Sequence, residues 1–191
     1  MSTPSAYERK KEPEKVRRAL LDAAGELVSE NGLANVTLDA VAKEAGVTKG
    51  GLFHHFASKQ LLFHGMFADI IDYFDALIEG HMARDPIEHG RFTRAYIEGV
   101  FVDHRLGGEA PSARLCISML ADPELQQMWS SWLAARIERH FATDGDEFCE
   151  MARLAADGVW LAVIAPPAKS PVDFERARKS MLRLTIEGAR V

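Results

Sequence analysis

This sequence predicts an all-α fold, on three observations. Apolar residues recur at spacings of three and four along most of the 191 residues, as in helices buried on one side. Capping residues and glycines punctuate those stretches where helices should start and stop. No stretch alternates apolar and polar residues as a half-buried strand would. The pattern resolves into about nine helices and no sheet.

The bulk composition bounds the class. Hydrophobic residues make up 47% of the chain, enough to fill a core. No apolar run reaches the length of a membrane span; Val159–Ala165 is too short. The opening MSTPSAYERKKEPEK lacks the apolar stretch of a signal peptide. A cytoplasmic protein without a membrane partner is expected. Cys116 and Cys149 form no CxxC pair and read as small apolar core residues. The net charge of −5 is unevenly spread. Residues 1–64 hold nine Lys+Arg against eight Asp+Glu, and residues 65–191 hold 14 against 20. Only the first third has a surface that could face a polyanion.

Taken in order, residues 1–12 are polar with a basic cluster at Arg9, Lys10 and Lys11, and are expected to be a disordered tail. From Glu14 the pattern is helical, with Val16, Ala19, Leu20, Ala23, Leu27 and Val28 on one face. Asn31-Gly32 ends that helix, because both tolerate a left-handed conformation. Thr37 caps a short helix over 38–45, which Gly46 ends. A second short helix spans about 48–55, and Ser58 caps a long one reaching about His81. Further helices are expected over about 92–104, 111–120, 122–141 and 147–165. The third of these opens on Asp122-Pro123-Glu124: a cap, a proline and an acid. The turn Asp144-Gly145-Asp146 precedes the fourth, and Ser170-x-x-Asp173 starts the last helix.

The segment AGVTKGGLFHHF, residues 45–56, carries the chemistry. Each glycine inside a helix costs roughly 0.8–1 kcal/mol relative to alanine, so a Gly-Gly pair there needs a reason. Two short helices joined at Gly46, with the small Ala42 four residues earlier, match a helix-turn-helix. Val41, Val47 and Leu52 are its apolar pins, and Phe53 and Phe56 read as packing residues. The second helix of such a unit enters the major groove by its N-terminal end. There Gly50 and Gly51 would let the backbone approach DNA, while the helix N-terminus offers free N–H groups to phosphate. Thr48 supplies a hydroxyl, Lys49 a charge, and His54 and His55 further donors. Lys59 lies within reach of the same strand. Adjacent helical histidines point about 100° apart, so no metal is expected between them.

Residues 14–65 resemble the N-terminal DNA-binding domain of the tetracycline-repressor-like (TetR) family, through ALLDAAGELVSENG and VTLDAVAKEAGVTKGGLFHHFASKQLL. The resemblance implies a three-helix DNA-binding domain over 13–60, with its motif at 37–56, and a helical ligand-binding and dimerisation domain over 61–191. It implies DNA contacts from Thr37, Thr48, Lys49, Gly50, His54, His55 and Lys59. Phe53 stands where the family commonly has tyrosine, so a phosphate hydrogen bond is missing there. It further implies a homodimer on a palindromic double-stranded operator, released by a small-molecule effector, with repression the family's usual mode. An activator or DNA-organising protein on the same fold, without an inducer, is the alternative.

The remainder of the chain is compatible with both roles of that second domain. Ala155, Val159 and Ala162 on one helix, and Phe174, Ala177, Met181 and Leu184 on the last, could form a four-helix dimer interface or pack only within the chain. Phe67, Ile71, Phe74, Trp129, Trp132 and Met119 could line an apolar pocket or fill a core. Tyr96, His104, Arg114 and Cys116 are its candidate polar groups. Together they suggest a hydrophobic or aromatic ligand. No GxSxG, HExxH or Walker-type loop occurs, so neither an enzyme nor a cofactor is expected.

Overall fold

The computed structural model describes residues 6–105, 116, 122–164 and 173–187. Its helices are α1 (Ala6–Asn31), α2 (Leu38–Glu44), α3 (Lys49–His55), α4 (Lys59–Met82), α5 (Arg91–Arg105), α6 (Pro123–Arg139), α7 (Phe141–Asp144), α8 (Glu147–Ile164) and α9 (Phe174–Glu187). A 3-10 turn, Leu33–Asn35, links α1 to α2. Among the described residues there is no strand.

Local chemistry sets most boundaries. The side chains of Thr37, Thr48 and Ser58 accept the N–H of Ala40, Gly51 and Leu61 at 3.2, 3.1 and 3.1 Å, so each caps its helix. Asp122 caps α6 by accepting from Glu124 and Leu125. Gly46 has φ +64°, which an L side chain rarely adopts, and it permits the sharp turn between α2 and α3.

Three boundaries differ from the sequence pattern. Helix α1 begins at Ala6, so residues 6–12 are helical where an irregular tail is expected. Its charged residues have good helix propensity, and Pro13 lies inside the helix at the cost of one backbone hydrogen bond. The segment expected as one helix to Phe141 is two. His140, at φ −106° and ψ 12°, leaves the α conformation, and α7 forms a separate turn closed by Gly145. The last helix takes its cap from Asp173, which accepts the Arg176 N–H at 3.0 Å; Ser170 lies outside the described residues. So does the helix expected over 111–120, except Cys116, which is helical.

Two hydrophobic clusters hold the fold. The first joins Leu20, Ala24 and Val28 of α1 with Val41 and Ala42 of α2, Leu52 of α3, Phe56, and Leu62 and Phe67 of α4. The second joins Ile78 of α4 with Phe92, Tyr96 and Ile97 of α5, Ala152 and Ala156 of α8, and Met181 of α9. Trp129, Trp132 and Trp160 pack against both. Buried and half-buried cations stitch the second cluster together. Arg136 of α6 pairs with Asp75 and Glu79 of α4, and Arg178 of α9 pairs with Glu98 of α5. Arg94 donates to Asp85, to the carbonyls of Ile87 and His89, and to Thr185 of α9.

Burial by itself would raise the Asp85 carboxyl, but hydrogen bonds from Arg94 and the Ile87 N–H, with the Arg94 charge, hold it below the ordinary carboxylate value. A carboxylate lowered on folding contributes stability above its unfolded pKa and loses it as pH falls through the folded one. Asp85→Asn is therefore expected to lower stability at neutral pH and to flatten its loss below about pH 3.8. Denaturant unfolding across the acid range measures this; an unchanged acid limb would remove Asp85 from the account.

Candidate nucleic-acid interface and internal cavity

The N-termini of α2 and α3 carry Thr37, Thr48, Lys49 and Gly50 close together. Lys49 Nζ lies 2.8 Å from Asp39 Oδ1, and both side chains are largely exposed. The pair therefore links the first turns of α2 and α3 at little energetic gain. The two glycines are not equivalent. A Cβ on Gly51 would lie 2.8 Å from Val47 Cγ1 and 3.2 Å from Thr48 Oγ1, so this glycine serves close packing within the motif. A Cβ on Gly50 would meet nothing within 4 Å. Only Gly50 leaves the outer surface bare.

His54 is exposed and His55 half-buried, with their rings edge to face at 5.4 Å. Burial, then the charges of His54 and Arg17, hold His55 below the usual imidazole pKa. Lys59 Nζ donates to the Ala34 carbonyl at 3.1 Å and lies 5.4 Å from the Phe63 ring centroid. Phe53 is largely exposed, whereas Phe56 is buried under the Arg17 guanidinium.

A cavity of about 1040 Å³ lies between α1, α4, α5, α6 and α8. Phe67, Phe74, Tyr96, Cys116 and Trp129, all picked out from the sequence, line it. Ile71 and Trp132 are not among its lining residues. Ile71 packs into the first cluster, and Trp132 Nε1 donates to Asp75 at 2.9 Å. The His104 side chain, Arg114 and Met119 lie outside the described residues.

The polar lining comes mostly from residues with no signal in the sequence pattern. Arg18 of α1 pairs with Asp69 of α4, and also with Asp22 at 3.0 Å. Tyr96 donates its hydroxyl to Asp157 of α8. Burial raises the Asp157 carboxyl, while Tyr96 and the Arg153 charge act against that rise. The same burial, with the Asp157 charge, pushes the Tyr96 phenol well above its usual value.

Two family signatures cover the chain. Residues 20–66 match "Bacterial regulatory proteins, tetR family" and residues 90–186 match "Tetracyclin repressor-like, C-terminal domain". The chain belongs to the TetR family. It is 31% identical over 177 residues, 85% of each chain, to the HTH-type transcriptional regulator BetI 1 of Chromohalobacter salexigens. It is 26% identical over 187 residues, 90% of each chain, to the HTH-type transcriptional repressor KstR2 of Rhodococcus jostii. Among solved structures, the multidrug binding protein EbrR complexed with ethidium superposes with a TM-score of 0.66 at 25% identity, covering 91% of this chain and 99% of that one. The protein is thus a TetR-family transcriptional regulator, built on a helical DNA-binding fold, and not an enzyme. Among the described residues, no helix is long and apolar enough to cross a membrane.

In this TetR-family protein the helices named as dimer candidates point both ways. Val159 and Met181 are buried in the second cluster, and Phe174, Ala177 and Leu184 pack partly against it. Ala155 and Ala162 lie on the outer side of α8, with Met151, Leu154, Gly158 and Leu161. Leu154 is 63% exposed, Met151 48% and Leu161 47%, so the described residues leave this stripe open, and its Gly158 and Leu161 also edge the cavity. A Cβ on Gly158 would meet nothing within 4 Å.

The glycines give a direct test. Gly50→Ala is expected to stabilise the protein by up to about 1 kcal/mol. Gly51→Ala, which crowds Val47, should show no such gain. Denaturant midpoints of the two variants decide it; equal shifts would mean that Gly51 has no packing role.

Proposed function

We propose that this protein is a dimeric repressor that reads a palindromic operator and is released by a largely hydrophobic, aromatic cation. The observation that carries the reading is that the cavity is walled by both parts of the chain. Arg18 and Asp22 come from α1 of the DNA-binding part, and the remaining lining is shared by α4, α5, α6 and α8. A molecule bound there touches the element that carries the helix-turn-helix. It can shift the population to the released state by as much as it prefers that state.

Thr37, Thr48 and Lys49 present hydroxyls and a charge at the entry of two helices, and Gly50 lets the backbone reach the base edges. His54, His55 and Lys59 flank them as phosphate contacts. Lys49 leaves Asp39, and Lys59 leaves the Ala34 carbonyl, for phosphate. The outward stripe of α8, with the exposed edge of α9, is the surface for a second copy. Small residues at 155, 158 and 162 allow close helix approach, and two such half-sites would be read about one helical turn apart, ~34–36 Å.

The cationic preference rests on charge. The cavity walls carry Asp22, Asp69 and Asp157 against one arginine, beside Phe74, Trp129 and Trp160. Arg18 pairs with both Asp22 and Asp69, so Asp157, which accepts the Tyr96 hydroxyl near the Arg153 charge, is the carboxylate left to favour a positively charged ligand, and aromatic faces add cation–π attraction. The EbrR structure holds ethidium, a molecule of this kind.

Selection of bound duplexes from random DNA at physiological salt should yield a two-fold symmetric consensus; an asymmetric or absent consensus would overturn the dimeric repressor. On the selected duplex, Gly50→Phe should abolish specific binding while the thermal unfolding midpoint holds. Lys59→Ala should reduce the log–log salt slope by about one. Ethidium fluorescence with the protein alone tests the ligand class. Asp157→Asn should weaken binding about 10- to 100-fold, the loss of a charged partner; equal affinities would remove the cationic preference.

A further inference from the structure

A second set of polar groups lies away from both the helix-turn-helix and the cavity. His89 closes the loop between α4 and α5, and Asp146 and Cys149 open α8. One ligand atom from each of the three side chains lies within 4.8 Å of the other two, and His89 Nε2 stands 3.5 Å from Asp146 Oδ2.

Their environment is that of a prepared site. The His89 backbone is pinned on both sides. Its carbonyl accepts from the buried Arg94 at 2.8 Å, and the following Gly90 N–H donates to the Thr143 carbonyl at 2.8 Å. Gly90 has φ +70°, and a Cβ there would press on Arg94 and Thr185, so the loop has little room to shift. Asp146 uses one oxygen for structure: Oδ1 accepts the N–H of Phe148 and Cys149 at 2.9 and 3.0 Å and caps α8. Its other oxygen and His89 Nε2 are buried atoms without a hydrogen-bond partner, facing each other at 3.5 Å. Buried polar atoms without partners are uncommon and need a reason. Bonds of ~2.0–2.1 Å to a tetrahedral zinc ion set nitrogen and oxygen ligands about 3.3 Å apart, close to this separation. Cys149 is fully buried one turn into α8; burial, then contact with Asp146 and the charges of Asp146 and Asp144, push its thiol up to about 12 against the opposing effect of Thr93, so only a bound cation would hold it as thiolate.

We propose that His89, Asp146 and Cys149 bind a zinc-class divalent ion, with the fourth position open to water or a ligand. His89 binds as the neutral imidazole through Nε2, Asp146 through Oδ2 and Cys149 as thiolate. On coordination the thiol proton passes to solvent, so affinity falls with falling pH. Two anionic ligands balance the dication. The ion ties the loop before α5 to the first turn of α8, the helix that lines the cavity and carries the outward stripe. The sequence offers no spacing motif for it, because His89 lies far from the other two in the chain.

Titration of the full-length protein with Co(II) tests the site. A single equivalent should produce a thiolate-to-metal charge-transfer band and tetrahedral d–d absorption, both removed by Zn(II). Cys149→Ser should abolish the charge-transfer band although Cys116 remains. His89→Ala removes a half-buried loop side chain and guards against a folding failure of the serine variant; it should weaken Co(II) binding at least about tenfold. Zn(II) should also raise the thermal midpoint of the wild type and not that of His89→Ala. No charge-transfer band in the wild type, a band that survives Cys149→Ser, or an unchanged affinity in His89→Ala would each overturn the site.

Discussion

Helix α4 belongs to two hydrophobic clusters at once, and this constraint shapes the rest of the molecule. Its 24 residues place Leu62, Met66, Phe67 and Ile71 against the DNA-binding helices and Ile78 against α5 and α8. A helix is stiff over such a length, so a displacement at one end is felt at the other. Tryptophans at 129, 132 and 160 fill the angle between the clusters. The cavity lies in this region, where packing against one cluster gives way to packing against the other.

The polar contacts that span the parts differ in kind. Arg18 and Asp69 join α1 to α4 at the cavity wall, and His64 and Glu124 join α4 to the start of α6 at 3.2 Å. Arg94, Arg136 and Arg178 lie deeper; Arg94 pairs with Asp85 of the loop before α5, and the other two pair with acids on neighbouring helices. Removing one partner of a buried pair costs far more than the pair contributes net. The exposed Lys49–Asp39 pair is the opposite case. It is weak in water, where solvent screens both exposed charges.

The helix-turn-helix was legible because local chemistry determines it. Thr37, Thr48 and Ser58 cap helices through hydrogen bonds that span three residues, and Gly46 supplies a backbone angle that other residues resist. Such features need no distant partner. The division of labour between Gly50 and Gly51 was hidden, because it depends on where the Val47 side chain lies. The break at His140 was also hidden. The apolar pattern continues through it, and the separate α7 turn is held by tertiary contacts, among them the Thr93 N–H donated to Asp144.

What the sequence by itself determined is the all-helical class, the helix-turn-helix with its caps and turn glycine, and the supply of aromatic residues in the remainder. All follow from periodicity and from interactions within a few residues. Which face of α8 is buried, and therefore which apolar residues are left for a partner, was decided by α5 and α9 packing on one side of it. The same packing aims Asp157 at Tyr96 and brings His89 to Asp146 and Cys149. Those positions carry no pattern of their own. Long-range contacts between helices create their chemistry, and only the tertiary structure can say which side chains meet.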